Sequence, residues 1–327
     1  MNCIKKTTAM FMMLILLMSC VTGIAHADNR EVHLAIQASC AFIPLIIARE
    51  NGWIDEAMKE IGVETVWTDF ESGPPMNESF AAGQQDIGVI GDVPAVSAVV
   101  RGQKNVYIAA EKGGTFLAIL IRDDSGITSV EDLKGKKIGL TIGSTSQNCV
   151  QKILAKAGLD INEDVELINI TVGDAQIVLT SGDVDAVAIW EPSVSRLAAL
   201  DGVSILADGG EAGFLGMNIV FARKEFVDQN PDIVKVYLQQ YWRATKVFEE
   251  NPEEFIPMLA EYFRLDEALV KQASAKCEYV LQFGEEETEA LQDTVSFLIG
   301  IGAIMKEIDV REYITDGIAR EVIEESK

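Results

Sequence analysis

One unit occurs twice in this chain, and it constrains the fold more than any other feature. Gly83-Gln84-Gln85-Asp86 leads into an apolar run over 87–90 and then Gly91, Asp92 and Pro94. Gly182-Asp183-Val184-Asp185 leads into an apolar run over 186–190 and then Glu191 and Pro192. In both copies the second acid follows the first by six positions. Each copy reads as a helix stop, a turn, a buried strand, and a new helix start with an acid near its cap. Two copies about a hundred residues apart predict one supersecondary unit used once in each of two lobes.

The first copy sits in a longer βαβ pattern. Strand 66–70 runs into Ser72-Gly73-Pro74-Pro75, and a helix over about 74–82 stops at Gly83 before strand 87–90. Two strands joined by a helix form a parallel pair, and ligands bind beyond the carboxyl ends of such strands, at helix N-termini. The ends here, Ser72-Gly73 and Gly91-Asp92, carry small or capping residues that let a backbone approach a ligand. Earlier, a strand over 32–36, a loop over 37–42 and a helix over 43–51 begin the same alternation. Later, 116–122 is an apolar strand with no helix just before it, read as a crossing between lobes. A second βα series follows, with strands at 138–140, 165–170, 186–190 and 203–207; 217–222 returns to the first lobe, and from Glu225 onward the pattern is helical, ending in a helix over 308–326. The expected fold class is α/β, two lobes each with a mainly parallel sheet flanked by helices. The expected divisions are 1–27, 28–118, 119–216 and 217–327.

The first 27 residues read as an export signal. Lys5 and Lys6 form a basic n-region, 9–18 is a short apolar core, and Ala25-His26-Ala27 is a small-residue cleavage site. Leu17-Met18-Ser19-Cys20 offers a second exit, as a lipobox that would leave lipid on Cys20. Cleavage after Ala27 removes two lysines and no acids, leaving 25 basic against 51 acidic residues. That balance argues against a nucleic-acid partner. Three cysteines would remain: Cys40, Cys149 and Cys277. Their spacing matches no zinc pattern, and an odd number leaves one unpaired. They read as small buried side chains, or, for Cys40 and Cys149, as loop residues near a ligand.

Catalysis finds little support. His33 is the one histidine after the signal, inside a strand, where it reads as packed core. There is no P-loop, H-E-x-x-H, G-x-S-x-G or EF-hand spacing, and no cofactor or metal motif. Binding is easier to build. Gly143-Ser144-Thr145 puts hydroxyls and free amides at a helix start, which can hold an anionic oxygen without an arginine, although either hydroxyl could simply cap the helix. No Arg or Lys falls in these loops: Arg49, Arg101 and Arg196 belong to helices and Arg122 to the crossing strand. A multiply charged anion would call for a guanidinium fork, so a singly charged or neutral ligand is expected. Asp92 and Glu191 read either as helix-start acids or as cleft acids for an ammonium or amide, with Trp190, Phe42 and Phe214 as an apolar wall.

These residues resemble a family. V-W-T-D-F-E-S-G-P at 66–74, G-x-x-D-x-G-V-x-G-D-x-P at 83–94, S-V-E-D-L-K-G-K-K-I-G at 129–139, G-S-T at 143–145 and W-E-P at 190–192 are similar to the substrate-binding proteins of aliphatic sulfonate, taurine and nitrate ABC importers. The resemblance spans nearly all of the chain after the signal. It implies a periplasmic-binding-protein fold of type II with two hinge strands, a small-molecule ligand held between the lobes, delivery to a membrane permease, and a periplasmic monomer without a cofactor. By position it implies cleft residues Ser39, Cys40, Ser72, Gly73, Gly91, Asp92, Ser144, Thr145, Trp190 and Glu191. The first loop, Gln37 to Phe42 with its Cys40, departs from the sulfonate binders. Within transport, nitrate, thiamine precursors and small amines compete with sulfonates. Outside it stand a ligand sensor and the pyrimidine-synthesising enzymes that share the fold, although this chain lacks their Cys-rich motif.

Overall fold

The computed structural model describes residues 30–214 and 216–327. The signal segment, the Ala25-His26-Ala27 site and Cys20 lie outside the described residues. Two five-stranded sheets organise the rest. The first contains β1 (Arg30–Gln37), β2 (Val63–Phe70), β3 (Ile87–Gly91), β4 (Asn105–Gly114) and β10 (Gly216–Arg223), in the order β2-β1-β3-β10-β4. The second contains β5 (Leu117–Arg122), β6 (Lys137–Leu140), β7 (Glu166–Asn169), β8 (Ala186–Trp190) and β9 (Val203–Asp208), in the order β7-β6-β8-β5-β9. The two orders are the same pattern. In each sheet four strands run in one direction, and one strand, β10 or β5, lies antiparallel to them between the third and fifth. Each antiparallel strand is the first that the chain lays down after crossing from the other sheet.

The sequence explains which strands sit in the middle. β3, β5, β8 and β10 are almost continuous apolar runs, buried on both faces by flanking helices. β2, at an edge, alternates polar and apolar residues and is only partly buried.

The duplication extends to individual hydrogen bonds. Asp86 donates its N–H to the His33 carbonyl, and its carboxylate accepts the His33 N–H, both at 2.8 Å. Asp185 donates to the Lys137 carbonyl at 2.9 Å and accepts the Lys137 N–H at 2.8 Å. Each first acid of the repeat thus locks the entry of its strand to the neighbouring parallel strand. An arginine ends each antiparallel strand and holds the same turn: Arg223 Nε donates to the Gln85 carbonyl at 3.0 Å, and Arg122 Nη1 to the Val184 carbonyl at 3.2 Å.

Three sequence expectations change. His33 is in β1 as expected, but its side chain is 39% exposed, beside Glu31, and is not packed core. The last helix does not begin at 308: a short 3-10 turn, Val310–Tyr313, precedes the helix Gly317–Glu325. Between them the chain is extended, because Ile314 bridges to Tyr107 and the Thr315 N–H is taken by the Tyr107 carbonyl at 2.8 Å. The helix read from the sequence over 266–278 is shorter, Glu267–Ser274, and the Lys276 carbonyl just beyond it accepts the Thr115 N–H at 2.9 Å.

Candidate functional site

A small cavity of about 30 Å³ lies between the sheets, where the strand ends of both lobes meet. The first lobe contributes Gln37, Ser39 and Phe42 after β1, Gly73 after β2, and Gly91 and Pro94 after β3. The second contributes Ser144 and Thr145 after β6 and Trp190 at the end of β8. Phe116 and Leu117 come from the first crossing, and Asn218 from β10. Among the described residues, none of those lining the cavity carries a charge.

Three helices, Gly73–Ala81, Asp92–Val100 and Thr145–Lys156, start here, and none has a side-chain hydrogen bond to cap it. Pro74, Pro75 and Pro94 carry no N–H and the Asp92 carboxylate takes the Val93 N–H, so the amides left at this end come chiefly from Gly73, Asp92 and the helix Thr145–Lys156, whose dipole favours negative charge. The approach is close enough to require glycine twice. A Cβ on Gly91 would collide with the Thr145 hydroxyl, and one on Gly73 with the Pro94 ring.

Of the sequence-predicted site residues, Ser39, Gly73, Gly91, Ser144, Thr145 and Trp190 line this cavity; Cys40, Ser72, Asp92 and Glu191 do not. The hydroxyls are mostly committed elsewhere. Ser39 accepts the Ala41 N–H and donates to the Glu191 carbonyl at 3.3 Å. Ser144 donates to the Thr141 carbonyl at 2.6 Å and does not cap its helix. Thr145 Oγ1 donates to Asp92 Oδ1 at 2.6 Å.

Asp92 and Glu191 stand apart from the cavity lining. Both were candidates for facing a ligand, and both are buried and bonded to protein. Asp92 takes Thr145 on one oxygen and, on the other, Thr294 Oγ1 at 2.6 Å and Asn148 Nδ2 at 3.3 Å. Burial pushes its carboxyl above the usual range, against the pull of those hydrogen bonds. Glu191 accepts the Ser195 N–H and Oγ, each at 2.9 Å, and the Lys276 ammonium at 2.5 Å. Its backbone carbonyl accepts the Cys40 N–H at 3.2 Å from the first lobe. The second acid of each repeat thus ties its lobe to the other half of the molecule. No acid is left in the cavity to pair with an ammonium.

Cys40 is buried beneath the first loop, and burial pushes its thiol well above the ordinary value. Cys40, Cys149 and Cys277 are all free thiols. Ser72 is buried at the start of its helix without capping it. Phe214 packs against Gly209 rather than lining the cavity. Sequence reasoning missed Gln37, Pro94, Phe116, Leu117 and Asn218. For Asn218 a signal existed: it is one polar residue inside the otherwise apolar β10 segment.

Among the described residues, no group of three or more His, Cys, Asp or Glu side chains is placed to hold a metal ion. No helix among them is long and apolar enough to cross a membrane.

The family described as NMT1/THI5 like matches residues 39–255. A Bacillus subtilis (strain 168) protein named for binding aliphatic sulfonates is 29% identical over 302 residues, covering 92% of this chain and 90% of its own. Among solved structures, the alkanesulfonate-binding protein SsuA from Xanthomonas axonopodis pv. citri, bound to MOPS, superposes with a TM-score of 0.80 at 24% identity, covering 88% of this chain and 99% of that one. The desulfurization enzyme DSZB shares the fold at a TM-score of 0.69 and 16% identity, covering 91% of this chain and 100% of its own. The fold alone therefore does not decide between capture and catalysis.

Proposed function

We propose that this chain, which belongs to the NMT1/THI5 like family, is the extracytoplasmic solute-binding component of an ABC importer. It captures a small organic monoanion of the sulfonate type between its lobes and delivers it to a membrane permease. The observation that carries this reading is a cavity between two lobes, lined by uncapped helix starts and by no charged side chain among the described residues. Oriented amides suit an anion of low charge. Phe42, Phe116 and Trp190 suit an apolar tail.

Capture fits this site better than catalysis. Cys40 is the obvious nucleophile by position, yet it is buried, outside the cavity lining, and held as a thiol. No general acid or base lines the cavity among the described residues. The cavity is small enough that a solute enters only as the lobes part, with the two crossings between the sheets absorbing the rotation. A ligand touching both lobes then stabilises the closed form by its differential affinity. One chain supplies both walls, so capture needs no second copy.

A thermal-shift titration of the mature chain tests this. Ethanesulfonate at 100 times its dissociation constant should stabilise the protein by about 2.7 kcal/mol. Taurine should bind more weakly, because its ammonium meets no carboxylate in the cavity. If no sulfonate moves the melting temperature, the reading fails.

A further inference from the structure

We propose that Asn218 is the specificity-determining side chain of this cleft, reading the solute's head group by donating a hydrogen bond from Nδ2. This rests on the capture reading above and deepens it. Asn218 is 4% exposed, lines the cavity, and its Nδ2 has no hydrogen-bond partner. A buried amide N–H is nearly always paired, so an unpaired one on a residue that lines the cavity marks the place of an acceptor. The contrast with its neighbours is sharp. Gln37 spends its amide nitrogen on the Val89 carbonyl at 3.0 Å. The hydroxyls of Ser39, Ser144 and Thr145 are committed to Glu191, Thr141 and Asp92.

The position is built. In the antiparallel pairings of β10, Asn218 lies opposite Gly91 on one side and Glu111 on the other. The first pairing sets it beside the start of the helix Asp92–Val100. Gly113 leaves the room that the amide occupies: a Cβ there would run into Asn218 Nδ2 and the Phe116 ring. An uncharged donor among uncapped helix starts selects an oxygen acceptor and adds no charge of its own. With Nδ2 turned to the ligand it suits an oxyanion.

Calorimetric titration of the mature protein with ethanesulfonate, and with ethylammonium as the opposite probe, tests this on wild type, Asn218→Leu, Asn218→Asp and Asn218→Ser. Leucine keeps the shape and removes the donor, so affinity for ethanesulfonate should fall about 10-fold or more. Aspartate should lower it further, about 100-fold, by setting a carboxylate against the anion. Melting of unliganded Asn218→Leu should not fall, because the Nδ2 that is lost has no partner in the protein; a residue of merely structural value would show the reverse. Should Asn218→Leu fail to fold, the smaller Asn218→Ser carries the same comparison. Ethanesulfonate affinity within twofold of wild type in the leucine or serine variant overturns the assignment while leaving capture intact. Ethylammonium binding by wild type that tightens in Asn218→Asp overturns it as well. If wild type binds neither probe, the capture reading falls and takes this one with it.

Discussion

Glu191→Ala should destabilise the protein by about 3 kcal/mol, the lower end of the range for breaking a buried charged pair by removing one partner. The carboxylate is fully buried, while Lys276 keeps 26% of its side chain in water, which moderates the penalty of stranding it. The same substitution also leaves the Ser195 N–H, in the first turn of its helix, without its acceptor. Glu191→Gln should cost less, because the amide oxygen can still accept from Ser195. The urea midpoint read at constant slope is the measurement. A second consequence concerns binding. Glu191 does not line the cavity, but it anchors the second lobe to the segment that also grips Thr115 at the first crossing. Weakening that tie should disfavour closure and so reduce solute affinity without removing a ligand contact. An alanine variant with an unchanged midpoint would show that the pair contributes no net stability. An unchanged dissociation constant would show that closure does not depend on it.

The repeat was legible in the sequence because its signals are local. Helix stop, acid, apolar run and helix start lie within a dozen residues, and the strands expected at 87–90 and 186–190 fall within one residue of β3 and β8. What the acids do was not legible, because their partners are far away in sequence. Asp86 bonds to a residue 53 positions earlier, Asp185 to one 48 positions earlier, and Asp92 to Thr294, 202 positions later. A helix-start acid looks the same locally whether it faces a ligand or a threonine from another element. The cavity's position at strand ends followed from the βαβ pattern, and six of the ten expected residues line it. Phe116 and Leu117, from the first crossing, were missed because the strand pattern marks them only as buried, whereas Asn218 stood out as a polar residue in an apolar strand but with nothing local to say what it faces.

Glu111→Gln should stabilise the protein increasingly as pH rises above about 4.5. Glu111 lies on β4 with no exposed surface, and the Tyr241 hydroxyl is the one group that offsets its burial by hydrogen bonding. Burial pushes its carboxyl well above the ordinary value of 4.5. Between the unfolded and folded values, the native state holds a proton that the unfolded chain has released. Stability therefore falls as pH rises through that window, by about 1.4 kcal/mol per pH unit for one group. Below it, both states are protonated and the contribution is complete. Glutamine has no such proton to lose, so the variant should follow a flatter profile and gain on wild type as pH rises above 4.5. Asp92, also raised by burial, adds a slope of the same sign to both proteins and cancels in the comparison. Parallel profiles would mean that Glu111 ionises as easily in the folded protein as in the unfolded chain. A neutral Glu111 also matters to the cleft. It sits opposite Asn218 across β4 and β10, so holding its proton keeps a negative charge away from a cavity suited to an anion. Ethanesulfonate affinity should accordingly be the same in wild type and Glu111→Gln while Glu111 holds its proton, and above the pH at which it ionises the wild type alone should lose affinity.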